Sequence, residues 1–119
     1  MKRKMWVMIS GPQRSGTVSG WHQVVNLFTL NGVALDVIEK GHFPIISGNC
    51  ILPIAYASSD AARDEMVTTL RLELVKRCDA CLRIGGDSDE AELEVQAFLR
   101  EKKPVYFDID NLPNAGQPS

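Results

Sequence analysis

Ser10, Gly11, Arg14, Ser15 and Gly16 lie close together, directly after an apolar run from Met5 to Ile9. A short buried strand that empties into small residues and one arginine, ahead of a helix, is where open α/β sheets bind ligands. Loop amides and the N-terminus of the next helix suit an anion, and Arg14 adds a forked donor for phosphate. The stretch reads as a phosphate or sugar cradle, the plain alternative being that Arg14 is an exposed loop arginine. It is not a triphosphate loop, because Thr17 and Val18 stand where a lysine and a magnesium-binding hydroxyl must be. Nor is it a dinucleotide fingerprint, since no glycine falls two residues after Gly11.

Glu94 is the second candidate. It falls a turn and a half into a helix expected at 89–102, whose start lies near the cradle. A carboxylate placed there could attack an anomeric carbon and split one hard displacement into two easier ones. The bland alternative is that Glu90, Glu92, Glu94 and Glu101 form the solvated face of a surface helix. Cys78 and Cys81 have C-x-x-C spacing, but they join a helix end to a buried strand, whereas a redox pair normally opens a helix. With two histidines and no second cysteine pair, no metal site is expected. A calcium loop at Asp108 to Asn111 would have Pro113 in place of its glycine. His42 reads as a capping or packing residue. His22 could touch a base or lie on the surface, and Trp21 could stack a base or fill a subunit contact.

These residues need elements to position them. The first strand is expected at 5–10, with a loop to about 18. Residues 21–40 admit two readings, a hairpin turning at Asn31-Gly32 or one helix that tolerates Gly32. The helix is favoured, starting near Gly20 or Trp21 and ending at Lys40 and Gly41. Its inward face is expected to carry Val24, Phe28, Ala34, Leu35 and Ile38, joined by Leu27 and Val37. A second strand follows at 42–48, pushed to a sheet edge by Pro44. The apolar stretch 49–59 fits neither period and reads as a flap or an oligomer contact. A helix at 60–77, with Met66, Leu70, Leu74 and Val75 inward, leads to strands at 80–84 and 104–109 around the helix of Glu94. Alternation of this kind predicts a single α/β domain over 1–110, three-layered, with a mostly parallel sheet of four to five strands. The loops after the first and third strands then meet, bringing Ser10 to Gly16 beside Gly85 to Glu94. Residues 111–119 read as a loose tail.

The 119 residues suffice for one core. A net charge of −2 and a pI near 5.6 offer no basic field for polymeric nucleic acid. The apolar run after Met1-Lys2-Arg3-Lys4 is too short for secretion or membrane spanning, and three cysteines are an odd number, so a cytoplasmic protein is expected.

Four segments share an order and spacing: Ile9-Ser10-Gly11-Pro12, Gly41-His42, Cys78-Asp79-Ala80, and 85–105 with Glu94 ahead of Lys103-Pro104-Val105. Together, over roughly 5–109, they resemble the small bacterial domains related to nucleoside 2-deoxyribosyltransferases and deoxynucleoside monophosphate N-glycosidases. The resemblance implies a flavodoxin-like or Rossmann-like fold and cleavage of the bond between base and deoxyribose, with Glu94 as nucleophile and no cofactor or metal. It implies that Arg14, Ser15 and Gly16 hold a phosphate together with Ser10 and Gly11, with Ser88 as a second serine. A small nucleoside or nucleotide partner and a homo-oligomer are expected on the same ground. Where the relatives carry a catalytic tyrosine and aspartate, this chain has Met8 and Arg71. The alternative expectation is therefore a nucleotide-binding or sensing domain that lacks the catalytic set.

Overall fold

Five residues after Met5 run Trp6-Val7-Met8-Ile9-Ser10, and in the computed structural model they form β1 (Trp6–Ser10), buried from Val7 onward. The structure describes residues 3–12, 20–57 and 63–115. In chain order β1 is followed by α1 (Gly20–Glu39), β2 (Phe43–Ile45), α2 (Ser47–Ala57), α3 (Arg63–Arg77), β3 (Ala80–Arg83), α4 (Asp89–Arg100), β4 (Val105–Tyr106) and a 3-10 turn, Ile109–Asn111. The four strands pair in parallel in the order β2-β1-β3-β4, the expected α/β architecture.

Alternation along β1 sends side chains to two cores. Val7 and Ile9, with Ala80 and Leu82 of β3, pack against Leu30 and Val37 of α1 and against Leu112. Met8 and Cys81 point the other way, into Val75 and Cys78 around α3 and into Val95, Ala97 and Phe98 of α4. The layers are therefore α1, the sheet, and α3 with α4, in a flavodoxin-like, Rossmann-like arrangement. From β1 the chain crosses to β2 through α1, then returns past β1 to β3 along the opposite face. Crossovers of one hand demand that arrangement, and it makes the β1/β3 boundary the point where strand order reverses.

The long reading of α1 holds. Gly32 is accommodated inside the helix, and Gly41, at φ +93, ends it. The Gly41 N–H donates to Ile38 O at 2.9 Å and the His42 N–H to Val37 O at 3.2 Å, a left-handed cap that suits glycine. The inward face is corrected. Leu27, Leu30, Val33, Ala34 and Val37 pack on the sheet, whereas Phe28, Leu35 and Ile38 are exposed. Leu27, Ala34 and Val37 face the sheet as expected; the helix carries two apolar stripes, and the periodicity argument merged them. Val24 has no described side chain.

Other elements differ too, and the strand expected at 104–109 shrinks to Val105–Tyr106. The strand expected at 42–48 contracts to Phe43–Ile45, on the edge that Pro44 requires. The supposed flap is α2, an 11-residue helix with Pro53 inside it; Ile51 and Leu52 are buried, and Ile51 packs with Val67, Leu70 and Leu74 of α3. Its small residues and proline concealed the helical period. On α3, Val75 is buried and Leu70 and Leu74 pack inward as expected, but Met66 is exposed, and Val67 and Arg71 are buried in addition. Residues 58–62, where that helix was expected to begin, lie outside the described residues. Helix α4 stops at Arg100 because Lys102 turns left-handed, with φ 58.

The segment 112–115, expected to be loose, is packed. The Lys40 ammonium donates to Leu112 O at 2.8 Å, and the Ala115 N–H donates to Lys40 O at 2.7 Å. The His42 ring is buried; its Nδ1 accepts the Met5 N–H at 3.0 Å, and its Nε2 donates to Pro113 O at 2.6 Å. His42 thus packs and bridges, as its place after Gly41 suggested. Residues 116–119 lie outside the described residues. Among the described residues, no helix is long and apolar enough to cross a membrane.

Candidate functional site

Ser10 ends β1 on the face of Met8, and in register with it Arg83 ends β3. The two following loops are pressed together. The Ile84 N–H donates to Ser10 O at 2.9 Å, and a Cβ on Gly11 would come within 2.7 Å of Ile84 O. Gly85 has φ +80, and a Cβ there would meet Pro12 Cδ at 2.8 Å. Both glycines are demanded by this contact. The Arg83 guanidinium ties the second loop down, donating from Nη2 to Gly86 O at 2.7 Å and from Nη1 to Ile84 O. The meeting of the two loops, expected from the strand order, is thereby seen for Ser10 to Pro12.

Glu94 is fully buried, so it does not belong to a solvated face. Its Oε1 accepts from Ser10 Oγ at 2.5 Å, and its Oε2 accepts from Ser47 Oγ, at the start of α2, also at 2.5 Å. Arg71 Nε lies 3.3 Å from Oε2, in an ion pair whose two side chains are 6% and 0% exposed. That nitrogen is out of line for a hydrogen bond and finds no other partner among the described residues. Side chains from β1, α2, α3 and α4 therefore converge on one carboxyl group at the carboxyl end of the sheet.

The electrostatics of this group are strained. Burial pushes the Glu94 carboxyl up; the Ser10 and Ser47 hydroxyls and then the Arg71 charge oppose it. Beneath it the Cys81 thiol is also pushed up, chiefly by burial and then by the Glu94 charge, while burial takes Cys78 to about 11. Both cysteines stay protonated thiols at neutral pH, which fits core residues rather than a redox pair.

The expected site residues thus divide. Ser10 and Gly11 meet at the strand end, and Ser10 binds Glu94 directly. Ser88 is buried at the N-terminus of α4, where its Oγ accepts the Ala91 N–H at 3.1 Å. Arg14, Ser15 and Gly16 lie outside the described residues. Sequence reasoning missed Ser47, and it read Arg71 only as a departure from a pattern. The available signals were a serine directly after an apolar strand, and the i, i+4, i+8 spacing of Val67, Arg71 and Val75 on α3. A shallow groove along α3, lined by Glu65, Met66, Thr69, Leu70 and Glu73, holds none of the network residues.

Comparison with protein-family models and with curated proteins found no match for this chain.

Proposed function

We propose that the protein binds a nucleoside or nucleoside monophosphate at the carboxyl ends of β1 and β3 and acts on its N-glycosidic bond. The observation that carries this reading is the buried Glu94 held by Ser10, Ser47 and Arg71. Burying an ion pair and two hydroxyls does little for stability, and such groups gather where pKa values are tuned for chemistry. The position supports it too, since ligands of open α/β sheets sit at the strand-order reversal.

In the reaction, a Glu94 oxygen bonds to C1′ as the C–N bond breaks and its electrons leave with the base, which takes up a proton. Water or a second base then releases the sugar from the carboxyl ester, by hydrolysis or transfer. Ser10 and Ser47 orient the carboxylate, and Arg71 favours its charged form. The phosphate of a monophosphate would be held by Arg14, Ser15 and Gly16, as the resemblance implies, together with the α4 N-terminus at Ser88.

A second reading, binding without turnover, is favoured by one feature: both Glu94 oxygens are already engaged by hydroxyl donors. The two readings separate in one assay. The protein is incubated with deoxynucleosides and their monophosphates, and free base is measured by chromatography. Turnover that vanishes in Glu94→Ala supports catalysis. Thermal protection by nucleotide, lost in Arg14→Ala and unaccompanied by base release, supports binding alone. If there is neither release nor protection, the proposal fails.

A further inference from the structure

At the amino ends of the strands, opposite the Glu94 network, a buried titratable side chain plays no part in the proposed reaction. His42 stands directly before β2 and is 2% exposed. Its ring bonds to two distant parts of the chain, 37 positions before it and 71 after it. Nδ1 accepts the Met5 N–H, and Nε2 donates to Pro113 O. A nitrogen that carries its own hydrogen cannot accept an amide N–H, so these bonds require one form of the ring: neutral, with its proton on Nε2. A protonated imidazole has two donors and no acceptor. The change falls on one bond only. Nδ1–H would be set against the Met5 N–H, donor to donor, whereas the donation to Pro113 O would gain from the charge.

We propose that His42 is a pH-sensitive latch on the lead into β1: when the ring takes up a proton, residues 3–5 come away from it while 112–115 stay seated. The surroundings leave a charged ring uncompensated. Among the described residues, neither ring nitrogen meets a carboxylate. At this end of α1 the ionisable groups are Asp36, Glu39 and Lys40; both acids are exposed, and the half-buried Lys40 ammonium donates to Leu112 O. On the lead into β1, exposed Arg3 pairs with Asp79, and exposed Lys4 lies over the Phe43 ring. Strand β2 and the segment 112–115 carry no ionisable side chain, and Asp110 on the preceding 3-10 turn is exposed. The least exposed charge of this set is thus a cation, which repels a second one.

The two bonded segments differ in what else holds them. Segment 112–115 has Leu112 packed with Val7, Leu30 and Val37, the Lys40 ammonium on Leu112 O, and the Ala115 N–H on Lys40 O. None of these contacts involves the ring. On the other side, Met5 is half-buried, and its carbonyl accepts the Phe43 N–H at 2.9 Å. Its own N–H goes to His42 Nδ1, and the two residues before it are exposed. The latch therefore opens at one end. The Met5 bond exists while the ring is neutral and is lost as pH falls through about 8 to 5, the range in which imidazoles ordinarily charge.

Nuclear magnetic resonance on the full chain tests the proposal. Nitrogen-15 shifts of the His42 ring should show Nδ1 bare and Nε2 protonated in weak base, and both protonated in weak acid. Over the same range, amide protection at Met5, corrected for intrinsic exchange, should fall ~10-fold, with the midpoint of the ring titration. Protection at Ala115 should hold steady. In His42→Asn, whose Oδ1 can accept the Met5 N–H but takes up no proton, Met5 protection should stay flat across the range. Should that variant fail to fold, the wild-type comparison of ring midpoint with Met5 midpoint decides the matter. A ring that charges while Met5 stays protected overturns the proposal, as does a ring still neutral at pH 5 or an equal loss in His42→Asn. Loss of protection at Ala115 in parallel with Met5 overturns the one-sided latch.

Discussion

A carboxyl group with no exposed surface takes its behaviour from its partners, and among the described residues Glu94 has two hydroxyl donors and the Arg71 cation. Arg71→Met removes the cation. A buried carboxyl left without its cation costs about 3 kcal/mol at neutral pH. Adding Glu94→Gln to Arg71→Met should recover most of that loss, and chemical denaturation of the four proteins in the cycle measures the coupling. The pH dependence follows from the direction of the shift. The Glu94 carboxyl is raised above its ordinary value of 4.5, so the folded chain holds that proton more tightly than the unfolded one. Its contribution to stability is complete below that ordinary value and is lost as pH rises through the folded one. Melting curves from pH 4 to 8 should therefore show Glu94→Gln matching the wild type in acid and gaining on it as pH rises. The residues of this network were unequally visible in the sequence. Glu94 stood out through its place before the last strand. Ser47 carried no motif, because a serine after a strand is common. Arg71 was hidden by its chemistry, since an arginine on an apolar stripe reads as a surface residue until its partner is known.

The elements were more legible than the faces they bury. Every expected strand exists, and Asn31-Gly32 lies inside a helix as favoured, because the apolar spacing on both sides of it is helical. Helix α2 was invisible because Pro53 and small residues blur its period, and it is held by burial of Ile51 and Leu52 rather than by propensity. The inward face of α1 was read only in part, Leu27, Ala34 and Val37 rightly and Phe28, Leu35 and Ile38 not, because the helix is apolar on two sides and spacing alone does not say which side the sheet covers. The turn that ends α1 gives a sharp test. A Cβ on Gly41 would collide with the Ala115 carbonyl, and the residue has φ +93, so Gly41→Ala suffers both strain and a clash. It should lower stability by more than about 1 kcal/mol in thermal or denaturant unfolding. It should also raise amide exchange at Ala115, whose N–H bonds to Lys40 O.

At the scale of the whole molecule, the strand order has a consequence for the timing of synthesis. The contact between Ser10 and Glu94 spans 84 positions, and β1 pairs with β3 only after some seventy residues have followed it. At about 5–20 residues per second, a ribosome needs several seconds to deliver the partner of a strand it made near the outset. Until then Val7, Met8 and Ile9 have neither neighbour on that side, and long-range pairing of parallel strands is slow in any case. The nascent chain thus carries its most apolar strand exposed for longest, and a stalled or truncated product ending before α4 presents that strand without the carboxyl group its serine is meant to hold.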